Sequence, residues 1–137
     1  MDDLIVRLLK AFEANDADGV RKLRVTRREY LKIIMPGFVE PGAPPRIVDK
    51  QESEFWWNLL DGKSLYTELA LLNDYGGRRF TVKEVTFLKG VKSYAWYTSH
   101  GRILLTLADE GGEERRLQMG SVIEANGAFK FVSYTRD

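Results

Sequence analysis

Apolar positions in the first half of the chain recur with a helical period, and those in the second half alternate. Leu4, Ile5, Leu8, Leu9 and Phe12 fall on one stripe of a helix over residues 3–14. Asp2 and Asp3 sit at the positive end of its dipole. A turn at Asn15-Asp16 follows, and Asp16 is placed to cap a short second helix that buries Val20 and Leu23. Thr26-Arg27-Arg28-Glu29 has capping-box spacing. It opens a third helix through Tyr30, Leu31, Ile33 and Ile34, which Pro36 stops. All 4 prolines lie in the crossover 36–48, with Gly37 and Gly42 among them; this segment is a surface crossover or a lid.

Asp49 and Glu52 repeat the capping logic. One kinked helix or two stacked ones follow, carrying Phe55, Trp56, Leu59 and Leu60, then Leu65, Tyr66, Leu69 and Leu72, up to Gly76-Gly77. Beyond that point the period becomes two. Phe80 and Val82, then Val85 and Phe87, alternate with a phase slip at Lys83-Glu84, which predicts a β-bulge and a bent sheet. Further strands are expected at Tyr94-Ala95-Trp96-Tyr97, at Ile103, Leu105 and Leu107, and from Leu117 to Ile123. Asn126-Gly127 demands a type I′ hairpin before a final strand with Phe129 and Phe131. The expected fold is therefore α+β: one domain, 1–137, with N-terminal helices packed on a curved antiparallel sheet.

Composition changes this picture little. The 137 residues suffice to bury a core without disulfides or metal. With 21 basic and 20 acidic residues, no global charge points to nucleic acid. No cysteine is present, so thiol nucleophiles and zinc–thiolate sites are excluded. The acidic start, Met1-Asp2-Asp3, lacks the positive region of a signal peptide. No apolar run approaches the length of a membrane span. A soluble, cytoplasmic protein is expected, without membrane contact.

The opening LLKAFEANDADGVRKL, the longer helix after it, and the closing NGAFKFVSYTRD resemble the NTF2-like superfamily, a cystatin-like α+β cone. The resemblance covers nearly the whole chain. It implies a pocket between sheet and helices, and dimers through the outer sheet face, for which Tyr97, Val132 and Tyr134 are candidates. The family includes isomerases, dehydratases, cyclases and non-catalytic binding modules, so function has to come from the site.

Candidate chemistry is sparse. Trp56, Trp57, Tyr94 and Trp96 are the candidate ligand-binding group. Adjacent tryptophans on a helix point different ways, so one should face the sheet and the other an edge. An isomerase-type site needs a carboxylate of raised pKa and a hydroxyl donor. Glu84 and Asp74 are the candidate acids and Tyr30 or Tyr94 the candidate donor; Glu29 is better explained as part of the capping box. His100, the 1 histidine, is expected in a hairpin turn, which leaves no multi-histidine metal site. Arg21, Lys22, Arg24, Arg27, Arg28 and Lys32 form a basic cluster, read as a solvated face balanced by nearby acids. The expected function is binding of a small apolar ligand, with no cofactor and no metal. The alternatives are an isomerase or dehydratase, and a dimeric interaction domain.

Overall fold

The computed structural model describes residues 1–134. The last three residues of the closing motif, 135–137, lie outside the described residues. The element order is α1 (Asp2–Glu13), α2 (Ala17–Arg21), α3 (Arg27–Glu29) running into a π-helical turn (Tyr30–Ile34), and α4 (Lys50–Tyr75). Five strands follow: β1 (Phe80–Ser93), β2 (Thr98–Asp109), β3 (Glu114–Gln118), β4 (Val122–Ala125) and β5 (Ala128–Phe131). The fold is α+β with an open antiparallel sheet. Among the described residues, no helix is long and apolar enough to cross a membrane.

Local signals place the helix starts. Asp16 Oδ1 accepts from the Gly19 amide at 3.0 Å. Thr26 and Glu29 form both halves of a capping box, at 3.1 and 2.9 Å. Asp49 Oδ1 accepts from the Gln51 and Glu52 amides. The third helix is a single α-turn that widens into π geometry, so the Met35 amide reaches back to the Tyr30 carbonyl at 3.0 Å. The long helix is continuous through Asp61-Gly62.

In the sheet, β2 is central. Its C-terminal half pairs with β3 (Leu104↔Gln118 to Ala108↔Glu114), and its N-terminal end pairs with β4 (Thr98↔Glu124 to His100↔Val122). β3 and β4 are thus successive pieces of one broken strand. The break passes through Gly120, where an added Cβ would lie 2.6 Å from Ser133 Oγ and 2.7 Å from the Ser133 carbonyl. The β1–β2 register slips between Val82 and Glu84, the position of the phase change in the sequence, and again between Phe87 and Gly90.

Two sequence expectations are corrected here. Tyr94–Tyr97 is not a strand but the loop joining β1 to β2, so Tyr94 and Trp96 do not share a strand face. That loop is held by the 36–48 crossover: the Ala95 amide donates to the Val39 carbonyl at 2.9 Å, and Phe38 stacks on Tyr94 at 4.8 Å. His100 lies within β2, half-buried, its ring 5.3 Å from Phe87 and 6.0 Å from Phe129.

The main core joins α1 (Leu4, Leu8, Phe12) and the end of α4 (Leu71, Tyr75) to Ile103, Leu105 and Leu107 of β2 and to Phe131. A second cluster gathers Val25, Ile34, Trp57, Tyr97 and Ile123. Tyr97 and Tyr134 belong inside. Tyr97 donates its hydroxyl proton to the Ile34 carbonyl at 3.1 Å, and Tyr134 donates to the Val20 carbonyl at 2.6 Å. Burial pushes both phenols well above the ordinary tyrosine value. Tyr97 and Tyr134 therefore cannot present an outer dimer face, and Val132 is half-buried against the second cluster.

The closing hairpin has Asn126 at φ 52° and Gly127 at φ 77°, the two positive φ values of a type I′ turn. Gly127→Ala is expected to lower stability by about 1 kcal/mol, since a Cβ is disfavoured in that region. Asn126→Gly should be nearly neutral. Urea midpoints check both.

Candidate functional site

The inward face of α4 is unusually polar. Ser53, Ser64, Thr67 and Glu68 are buried there beside Trp57, Leu71 and Tyr75, while Phe55, Trp56 and Leu59 are exposed. The helix is oriented by the partners its polar groups find. Ser64 Oγ accepts from the Tyr134 amide at 3.2 Å, and Glu68 meets two arginines.

One of those arginines is Arg24. Just past α2 the chain runs alongside β5: the Val25 amide donates to the Phe131 carbonyl at 2.8 Å, and the Phe131 amide donates to the Leu23 carbonyl at 2.9 Å. This short parallel bridge fixes Arg24 under α4 with 4% of its surface exposed. Arg24 Nη1 donates to Asp61 Oδ1 at 3.0 Å and lies 3.7 Å from Glu68 Oε1. Its guanidinium carbon sits 5.4 Å from the centroid of the Trp57 ring, a cation–π arrangement. Arg21 Nε donates to Glu68 Oε2 at 3.3 Å.

Among the described residues, Nε and Nη2 of Arg24 and Oε1 of Glu68 are buried without a hydrogen-bond partner. Buried polar groups in native proteins are nearly always satisfied, so the two Arg24 nitrogens call for an acceptor that the described residues do not supply. Arg24 lines a surface pocket of about 390 Å³ whose other walls include Arg21, Lys22, Thr26, Trp57 and Asp61. Trp57 and Val25 give it an apolar side. Asp18 and Asp61 are the two acids in the lining, against three cations.

Burial pushes the Glu68 carboxyl above its ordinary value of 4.5, against the pull of Arg21 and Arg24 and with help from Asp61. The unfolded chain gives up this proton near the ordinary value, while the native state holds it to higher pH. Just above 4.5 the native state therefore binds more protons, and stability falls as pH rises through that window. Glu68→Gln should flatten this slope in urea titrations run from acid to neutral pH. An unchanged slope would assign the proton elsewhere.

The candidate residues read from the sequence fall in separate places. Trp57 is inside, with Tyr30 tilted against it at 5.4 Å. Trp56 is on the outside, in a groove of about 330 Å³ with Tyr30, Ile34, Phe38, Arg46 and Glu52. Tyr94 packs between Phe38 and Tyr97. Trp96 is exposed, close to Gly37. Of the acids, Glu84 is exposed on β1, opposite Thr106, and Asp74 is half-buried at the end of α4. The structure does not gather Glu84, Asp74 and Tyr30 on one element.

The basic cluster is split in the same way. Arg27 pairs with Glu54 at 2.6 Å, and Arg21 with Glu68. Glu29, the acid inside the cluster, is paired by Lys130 at 2.7 Å. Burial alone would raise the Glu29 carboxyl, but the bonds from Lys130 and the Thr26 amide hold it below its ordinary value. Arg24 departs from the solvated-face expectation because it is buried. No protein-family model, curated protein or solved structure matches this chain.

Proposed function

We propose that this chain is a small-ligand-binding domain of the NTF2-like type. Its ligand carries a flat apolar body and one anionic group, and it lies in the pocket walled by Trp57 and Arg24. The observation that carries this reading is the buried Arg24 guanidinium, with two nitrogens that no described residue satisfies, in the wall of a pocket large enough for a small molecule. A guanidinium presents a planar fork that matches a carboxylate, and Trp57 offers a ring face beside it. The element order, helices ahead of a bent antiparallel sheet, supports the NTF2-like assignment.

An acid–tyrosine isomerase site has less to support it. Two of the buried tyrosines, Tyr97 and Tyr134, commit their hydroxyl protons to backbone carbonyls. Glu68, the acid of raised pKa, is only 2% exposed and already bonded to Arg21.

Ligand-observed NMR with simple arylcarboxylates and their neutral amides tests the proposal. A charge-assisted bond is worth about 1.5–3 kcal/mol, so the acids should bind roughly tenfold or more tightly than the amides. Arg24→Lys, with circular dichroism reporting the fold, should weaken that preference, because an ammonium keeps the charge but loses the planar fork. Equal binding of acids and amides, or binding of neither, overturns the reading.

A further inference from the structure

The outward face of α4 carries an apolar stripe that no described residue covers. Phe55, Leu59, Gly62, Tyr66 and Leu69 are spaced by four, three, four and three residues, so they line one side of the helix. Phe55 is 60% exposed, Tyr66 77% and Leu69 68%. Single exposed apolar side chains are ordinary, but a contiguous row with a polar face turned inward is not.

Gly62 stands at the centre of this row. A glycine inside a helix costs about 1 kcal/mol relative to alanine. An added Cβ at Gly62 would meet nothing within 4 Å among the described residues, so their packing gives no use for its absence. A missing side chain does have a use where a second backbone must come close. The row is also self-complementary: reversed about Gly62, Phe55 falls opposite Leu69, and Leu59 falls beside Tyr66.

We propose that α4 pairs with α4 of a second copy of this chain, antiparallel, in a two-fold dimer whose helices cross at Gly62. The backbones approach at the glycine, and the larger side chains fill the gap that widens toward each end. An isologous contact needs one patch that fits itself, which this row supplies. A fully buried aromatic contributes about 150–250 Å². On that scale the exposed parts of the row, with the adjoining Trp56, amount to roughly 500 Å² per copy, the apolar centre of an interface that typically takes about 800 Å² per partner. The site proposed at Arg24 is on the opposite, inward side of the helix, so the dimer stands or falls independently of it.

Sedimentation of the full chain at high micromolar concentration should show a dimer. Tyr66→Glu with Leu69→Glu changes only exposed side chains, so circular dichroism should be unaltered while dimer affinity falls at least about a hundredfold. Because the chain has no cysteine, crosslinking reads the register directly. Gly62→Cys should form an intermolecular disulfide on mild oxidation. Phe55→Cys alone should not, since its two copies would lie about 21 Å apart along the helices. Phe55→Cys combined with Leu69→Cys should. A wild-type monomer at that concentration, a dimer untouched by the two glutamates, or crosslinking at Phe55→Cys in preference to Gly62→Cys would each overturn the proposal.

Discussion

Arg24→Met is expected to destabilise the fold by about 3–5 kcal/mol, because it removes the cation that faces Asp61 and Glu68 under α4. The loss should depend on pH. Without Arg24, the buried Glu68 carboxyl escapes by taking a proton, so the penalty at pH 5 should be smaller than at pH 7. Adding Glu68→Leu to Arg24→Met should recover much of the stability, since two well-packed apolar groups replace a buried ion pair at little cost. Urea midpoints at the two pH values, with the slope of unfolding free energy unchanged, read all three outcomes. A single-mutant loss below about 1 kcal/mol would mean that the arginine is not integrated into the fold as its burial indicates.

The second large effect lies at the other end of the domain. Phe12 is fully buried, stacks on Tyr75 at 5.5 Å, and its carbonyl accepts from the Gly77 amide at 2.7 Å. It joins the end of α1 to the end of α4. Phe12→Ala should cost about 3–5 kcal/mol through lost transfer energy and the cavity left behind. Phe38→Ala removes the same ring from a half-exposed position on the crossover and should cost less than about 1 kcal/mol. Similar losses at both positions would contradict the division into a packed core and a peripheral aromatic cluster.

Features encoded by contiguous residues were legible in the sequence. The Thr26–Glu29 capping box, the Asp49 cap, the slip at Val82–Glu84 and the Asn126-Gly127 turn each depend on a few neighbouring side chains and backbone angles. What depends on distant partners was not. Tyr94–Tyr97 has the composition of a strand, yet it forms a loop because Val39 and Phe38 of the crossover hold it. The apolar residues of α4 marked a helix but not its inward side. That side was chosen by Arg21, which donates to Glu68, and by the Tyr134 amide, which donates to Ser64.

The candidate site was obscured for the same reason. Arg24 is one of several basic residues in its stretch, and nothing local distinguishes it from Arg21 or Arg27. It is buried by the parallel bridge to Phe131 and by Trp57, Asp61 and Glu68 of α4, all far along the chain. Glu68 is likewise one more charge on a long helix. A weak signal was present in both cases. Arg24 lies between Leu23 and Val25, and Glu68 is one helical turn before the core residue Leu71.

The claim that matters most is that the Arg24 guanidinium receives a ligand's anionic group. The most direct measurement is the Nε–H NMR signal of Arg24, assigned by its loss in Arg24→Lys. On saturation with 2-naphthoate this signal should shift, while 2-naphthamide should leave it in place. If it stays fixed with both compounds, or shifts equally with both, the anion-receiving role of Arg24 is contradicted.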